Sequence, residues 1–221
     1  SLLTEDRKGQ GLLLDMPVDK NITITDLGKV SRNGLIRRRA EAAAAHDLVG
    51  QLRVKASSIE QAVRNLSGGN QQKVVLAKWL SMRPKVLIFD EPTRGVDVGA
   101  KAEIHNIIGQ LVAGGMAVVM ISSELPEILG VCDRVVVMEK GRVVETAKAA
   151  DIFANPQHPY TKKLMAAVPV PDPARRGTRR GVANDEIRSP VRAPDYQPPA
   201  RQYREVSPGH VVQVWGEEWS G

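Results

Sequence analysis

Residues 66–73 read Leu-Ser-Gly-Gly-Asn-Gln-Gln-Lys, and one helix-length further on Val86-Leu87-Ile88-Phe89 runs into Asp90-Glu91-Pro92. The first stretch sets a serine and two glycines at the start of a predicted helix, where unpaired backbone N–H groups and the helix dipole favour a phosphate. The second is an apolar strand ending in two carboxylates. It suits a buried parallel α/β sheet, whose ligands sit beyond the carboxyl ends of the strands. Taken alone, Ser-Gly-Gly is common and an apolar run ending in Asp-Glu is usually a structural strand. In this order, one helix apart, the two stretches place a phosphate-binding backbone and a metal-binding carboxylate close together.

LSGGNQQK followed by VLIFDEPTRGVD resembles the signature motif, Walker B strand and D-loop of ABC transporter ATPases. DEPTRGVDVGAK is most similar to the second nucleotide-binding half of bacterial monosaccharide importers. The resemblance implies an α/β P-loop NTPase core with a parallel sheet and a helical subdomain. It implies ATP and Mg²⁺ as cofactors, with Ser67, Gly68, Gly69, Asn70 and Gln71 on the nucleotide side. Asp90 is then the Mg²⁺ ligand, acting through water or from behind the ion's direct ligands, and Glu91 polarises the attacking water. Asp97 matches the D-loop that links two nucleotide sites across a dimer. It equally fits an N-cap of the following helix, and the two roles are compatible.

A chain of 221 residues with 42% apolar content supports one substantial core and an appendage. The net charge of +6 invites a nucleic-acid reading, but aromatics are 4% and no stretch pairs basic residues with stacking platforms. No nucleic-acid partner is expected. The single cysteine, Cys132, cannot form an internal disulfide, which fits a reducing compartment, and it reads as a small core residue. No apolar run reaches the length of a membrane span, and no signal pattern opens the chain. The start at Ser1, close to a motif, suggests a fragment of a longer protein.

Read in order, Glu5-Asp6-Arg7-Lys8 with Gly11-Leu12 resembles the loop joining the catalytic core to the helical subdomain. Glu5 stands where most ABC ATPases carry a glutamine that senses the γ-phosphate. A carboxylate there accepts only, and its charge changes its dealings with metal and phosphate. Gly28-Lys29 is no phosphate loop, because no earlier glycine stands at the required spacing and Val30 follows. No Walker A motif occurs in the 221 residues. Arg37 to Leu52 predicts an amphipathic helix through Ala40, Ala43, Ala44, Asp47, Leu48 and Gln51. Its Arg37-Arg38-Arg39 start reads first as a solvated basic helix end, and second as a contact for an acidic surface or lipid headgroups. His46, in that helix, is assigned no role.

Ser67 is placed as the N-cap of a helix running to about Met82, which Arg83-Pro84 ends. After Asp97 a helix carries Ile104, Ile107, Ile108 and Leu111 and stops at Gly114-Gly115. Met116 to Ile121 reads as another buried strand, delivering Ser122-Ser123-Glu124. In the resemblance Ser123 replaces a histidine of the switch region; its hydroxyl can donate a hydrogen bond but carries no positive charge, which implies a weak or non-hydrolytic half-site. Val135 to Met138 and Arg142 to Glu145 form a predicted hairpin around Glu139-Lys140-Gly141.

Beyond the hairpin the resemblance changes. Asn155-Pro156-Gln157-His158-Pro159-Tyr160-Thr161 is similar to the carboxyl-terminal segment of oligopeptide and dipeptide importer ATPases, with Leu164, Met165 and Val168 docking a short helix. From Pro169 the chain holds eight of the fourteen prolines, eight arginines and seven acidic residues, and it reads as an extension too polar to fold alone. Pro208-Gly209-His210 resembles the closing segment of the same peptide importers, and Val211, Val212, Val214 and Trp215 offer a terminal strand. His210 has no Cys or His cluster around it, so a metal role is disfavoured.

The expected organisation is an ABC ATPase domain over residues 1–150, with a helical subdomain at about 10–83 and half of a catalytic core at 84–150. Residues 151–221 form a largely irregular, Pro/Arg-rich extension of the peptide-importer kind. The expected function is that of an ATP-binding subunit, or a fragment of one, in an ABC importer of a small solute, a monosaccharide first and a peptide second. A non-hydrolytic remnant, or an ABC protein working outside transport, is the remaining alternative. Implied partners are transmembrane permease subunits, a second ATPase half and, indirectly, an extracytoplasmic solute-binding protein. The implied location is the cytoplasmic face of a bacterial membrane.

Overall fold

The computed structural model describes residues 1–167 and 200–214, and these fall into two units that part between Ser123 and Glu124. The first contains β1 (Leu2–Leu3), a wide helical turn at Arg7–Gly11, α1 (Val18–Thr23), α2 (Leu27–Val30), β2 (Ser31–Arg32), β3 (Leu35–Ile36), α3 (Arg38–Gln51), α4 (Gly68–Leu80), β4 (Val86–Asp90), α5 (Val98–Ala113) and β5 (Ala117–Ile121). The second contains α6 (Leu125–Val131), β6 (Arg134–Glu139), β7 (Arg142–Lys148), α7 (Ala149–Ala154), α8 (Pro159–Ala166), β8 (Tyr203–Ser207) and β9 (His210–Gln213). The hairpin that the sequence groups with residues 1–150 thus lies in one unit with the strands at 203–213.

In the first unit β1, β4 and β5 form a parallel sheet in that order. Leu3 pairs with Phe89 and Leu87 with Val118, so the alternate residues of all three strands share one face. Leu3, Leu87 and Phe89 are buried on that face, each contributing about 1.5–3 kcal/mol of apolar burial. The opposite face carries Leu2, Val86, Val119 and Ile121, all exposed by more than two-fifths. The expectation of strands buried on both faces therefore fails for β4 and β5. Among the described residues one face packs inward, and the pleat sends every second side chain outward.

The helical part of the unit packs α1 between α3 and α4, with Val18, Ile22, Ala45, Val74 and Val75 fully buried. The expected stripe on α3 is displaced. Its buried residues are Glu41 and Ala45, one turn apart, while Ala43 and Asp47 face solvent. Glu41 is tolerated inside because it forms an ion pair with Lys20 and accepts a hydrogen bond from Thr23 Oγ1 at 3.1 Å.

In the second unit β6, β7, β9 and β8 form an antiparallel sheet in that order. The β6–β7 turn takes Lys140 and Gly141 at φ 49° and 73°, the left-handed pair that a two-residue hairpin needs. Val137, Val144, Ala147 and Ile152 form its core, with Leu164 and Met165 of α8 packed against them as the sequence suggests. The expected terminal strand is present as β9, and β8 pairs on its far side. Val168, the Pro/Arg-rich stretch to 199 and Trp215 lie outside the described residues.

Candidate functional site

The site is built where three loops of the first unit meet: residues 5–7, the start of α4, and the turn from β4 into α5. Helix α4 begins where expected, with Ser67 in cap geometry at φ −61° and ψ 157°. Its side chain does not cap. Ser67 Oγ instead accepts from Asn70 Nδ2 at 2.9 Å, and Asn70 Oδ1 accepts from Lys55 N at 2.8 Å. The first intrahelical hydrogen bond runs from Gln71 N to Ser67 O, so the amides of Gly68, Gly69 and Asn70 point out of the helix end without intrahelical acceptors. An open groove of about 610 Å³ lies beside this end, lined by Lys55, Ser57, Gln61, Ser67 and Asn70.

The two glycines have separate reasons. A Cβ on Gly69 would sit 2.6 Å from Ala100 Cβ, so this glycine permits α4 and α5 to approach each other rather than exposing backbone to a ligand. A Cβ on Gly68 would lie 3.1 Å from Arg7 Nη2 and 3.2 Å from Gly95 O. Gln71 is buried, and its Nε2 donates to the carbonyls of Val63 at 3.3 Å and Leu66 at 3.2 Å. The structure therefore sets Gln71 inside the fold, behind the helix end.

Asp97 caps α5 with its own carboxylate, accepting from Ala100 N at 2.9 Å. Asp90 ends β4 in register with Ile121 of the neighbouring strand. Glu91 follows at φ 48°, a left-handed conformation that costs a non-glycine residue energy and turns the chain away from the sheet. Its amide donates to Ile121 O at 2.9 Å, and its Oε1 accepts from Ser123 N at 2.8 Å. The β4–β5 pairing thus brings Ser123 to Glu91, and the contact uses the backbone amide of Ser123. Glu5 forms an ion pair with Arg94.

Two residues of this site escape a sequence reading. Arg7 donates to Arg94 O at 2.7 Å and Gly95 O at 3.1 Å, bolting residues 5–7 to the turn before Asp97. Lys73, buried within α4, donates to Arg53 O at 3.1 Å and pairs with Glu103 of α5 at 2.6 Å. The hydrogen bond and charge of Lys73 hold the Glu103 carboxyl below the usual carboxylate range. Both contacts join residues far apart in sequence, and a lone arginine or lysine gives no local sign of them.

The second unit gathers its conspicuous motifs on one carboxylate. Glu145 of β7 is fully buried and accepts from Gln157 N at 2.8 Å, His158 N at 2.9 Å and His210 Nε2 at 2.6 Å. Burial alone would raise its pKa, but the donors collected on it outweigh burial and hold it lowered. His158 Nδ1 accepts from Tyr160 N at 3.2 Å and so caps α8, while burial lowers the His158 pKa despite the charge of Glu145. Cys132 is half-buried, not a core residue, and burial raises its thiol pKa.

A parallel sheet whose carboxyl end carries Asp90 and Glu91, beside a helix that opens on Ser-Gly-Gly, lies in the part of the chain that resembles ABC transporter ATPases. The family model described as "ABC transporter" matches residues 7–94, and that described as "Oligopeptide/dipeptide transporter, C-terminal region" matches residues 144–195. Among similar proteins, Ribose import ATP-binding protein RbsA 1 of Streptomyces coelicolor is 53% identical over 151 residues, which are 68% of this chain and 30% of that protein. The RbsA protein of Jannaschia sp. (strain CCS1) is 49% identical over 148 residues, covering 67% of this chain and 29% of that protein. The chain therefore spans about 30% of the length of these relatives. In fold it is similar to a dimeric ATP-binding cassette bound to ADP and phosphate, with a TM-score of 0.56 at 19% identity over 67% of this chain and 62% of that one. A second cassette in its ADP conformation gives 0.57 at 21% identity, over 71% and 65%.

Proposed function

We propose that this chain serves as an ATP-binding subunit, or a portion of one, of an ABC importer whose solute is a monosaccharide. The observation that carries the reading is the end of α4, where Ser67 and Asn70 line an open groove and the first amides of the helix have no acceptor within it, with the Asp97 helix start packed behind them. That is an acceptor-free phosphate cradle of the kind the resemblance assigns to the nucleotide of a facing ATPase half. The 53% identity to a ribose import ATP-binding protein supports the sugar assignment. The match of residues 144–195 supports the second reading, a peptide importer, on a shorter stretch.

In this reading ATP and Mg²⁺ are shared between this chain and a second ATPase half, at the cytoplasmic face of the membrane beneath permease subunits. No group of three or more metal-ligating side chains exists among the described residues. Mg²⁺ carried in by nucleotide needs only one or two carboxylates plus phosphates, and Asp90 at the end of β4 suits that need. When bound, the ion would neutralise charge on the transferred phosphoryl group. Glu91 would orient water, and its bond to the Ser123 amide fixes one carboxylate oxygen for that task. Glu5, already paired with Arg94, is less free to sense a phosphate, so the half-site on this side is the weaker one.

The test compares Ser67→Arg with Glu91→Gln in the assembled transporter, reading Mg-ATP hydrolysis and monosaccharide uptake. Ser67→Arg should lower hydrolysis about 100-fold, whereas Glu91→Gln should lose less than the roughly 10²- to 10⁴-fold usual for removing a general base. Comparable losses from the two would refute the weak half-site, and unchanged activity with Ser67→Arg would refute the nucleotide role of the α4 end.

A further inference from the structure

Residues 32–39 read Arg-Asn-Gly-Leu-Ile-Arg-Arg-Arg, and every one of them is exposed. They form the tip of the β2–β3 hairpin and the start of α3. Arg32 pairs across the hairpin with Leu35 and Ser31 with Ile36, while the ladder closes with Arg37 N donating to Val30 O at 2.8 Å above buried Val30. Asn33 and Gly34, at φ 52° and 77°, make the tight left-handed turn that projects this tip. Leu35 is 74% exposed and Ile36 47%, so both faces of this short strand present a large apolar side chain to solvent.

The charges around the tip all have one sign. Arg32, Arg37, Arg38 and Arg39 have no ion-pair partner among the described residues, Asp26 is engaged by Lys29, and Glu41 is buried on Lys20. Arg37 is the N-cap of α3 and Arg38 and Arg39 open its first turn, with no side-chain cap. Cations at the positive end of a helix dipole destabilise the chain that carries them. Neither the hairpin tip nor the arginine triplet improves the fold in isolation. Both are suited to an external surface that is anionic outside and apolar just beneath.

We propose that the β2–β3 hairpin and the Arg37-Arg38-Arg39 helix start form a membrane-surface contact, with Leu35 and Ile36 entering the headgroup boundary of an anionic leaflet and the arginines lying on its phosphates. The chemistry follows from charge complementarity: guanidinium groups hydrogen-bond phosphate, and an apolar tip held by a rigid turn inserts without unfolding. Four arginines and two exposed apolar side chains within residues 32–39, with no acidic residue among them, match the charge and apolar layer of an anionic leaflet, which commits the tip to lipid. The contact is independent of nucleotide at the α4 end and stands or falls without it.

The experiment floats the full 221-residue chain on protein-free vesicles of phosphatidylcholine alone or with one-third phosphatidylglycerol, at low and physiological salt. The chain should bind the anionic vesicles and leave the neutral ones. The Arg37→Gln/Arg38→Gln/Arg39→Gln variant should bind on the order of 100-fold more weakly at low salt, from the usual contribution of each basic residue near such a surface. A control variant, Lys140→Gln/Lys162→Gln/Lys163→Gln, removes the same charge elsewhere and should lose less than tenfold. Leu35→Ser/Ile36→Ser should lose the binding that survives physiological salt. A melting temperature no lower than that of the parent chain shows that the arginine variant is folded. Equal losses from the two charge variants would mean only general attraction of a basic chain and would overturn the proposal. So would failure to bind the protein-free anionic vesicles at either salt concentration, which would assign the tip to a protein partner.

Discussion

The start of α4 and the surroundings of Glu145 are two polar clusters of equal prominence in the sequence, and their hydrogen bonds run in opposite directions. At α4 the capping side chain is diverted to Asn70, the first three backbone amides have no acceptor within the helix, and Ser67 and Asn70 line an open groove. Around Glu145 the motif residues turn inward, so that the amides of Gln157 and His158 and the ring of His210 all end on one buried carboxylate. The first cluster has donors to offer a ligand. The second has used its donors to tie β7, the α8 start and β9 together. A histidine-containing motif thus acts here as a lock on the fold, and a serine-glycine motif leaves helix-end amides without intrahelical acceptors.

The sharpest way to break this comparison is Glu145→Ala. It strands the buried His158 amide, the part-buried Gln157 amide and the buried His210 ring, and should cost the second unit about 3–5 kcal/mol in urea denaturation. Amide exchange should accelerate at residues 203–213, with no change in exchange at the start of α4. Gly69→Ala comes next: its Cβ meets Ala100, and the strain should cost about 1–3 kcal/mol, with partial recovery on adding Ala100→Gly. Recovery would confirm Gly69 as a packing residue; no recovery would return it to the ligand surface.

A smaller contrast separates the two helix starts. Asp97→Ala removes a true cap and should cost about 1 kcal/mol, whereas Ser67→Ala, whose hydroxyl caps nothing, should leave stability unchanged within error. The finest test uses pH. The folded pKa values of Glu145 and His158 both lie below their ordinary 4.5 and 6.5, so in each case the unfolded chain binds the proton more readily. The second unit should be fully stabilised above pH 6.5, weaken as His158 titrates below that value, and weaken again below 4.5 as Glu145 takes its proton. Burial raises the Glu139 pKa and works the other way, so melting temperature against pH in a Glu139→Gln background checks this, and a gain in stability there on acidification would contradict the sign.

Much of the fold is legible along the chain. The helix after Ser67, the strand into Asp90, the cap at Asp97 and the hairpin at 134–148 follow from periodicity, capping residues and turn residues that act within a few positions of one another. The candidate site is legible in part. That Ser67 opens α4, Asp90 ends β4 and Asp97 caps α5 follows from local pattern, but the packing of Gly69 and Gln71 does not, because each is decided by a neighbour brought in from elsewhere in the fold. The two-faced character of β4 and β5 is likewise invisible in an apolar run, which looks the same whether one face or both are covered.

The sequence by itself determined the helices that follow Ser67 and Asp97, the strands that end at Asp90 and Ile121, the 134–148 hairpin and the resemblance of both motif sets, since each rests on residues close together in the chain. Tertiary structure alone decided that Arg7 bolts two loops, that Lys73 is buried against Glu103, and that Glu145 holds His210 from 65 residues away. The physical reason is range. Capping, periodicity and turn chemistry act between neighbours, whereas a buried charge is settled by whichever partner the packed chain delivers to it.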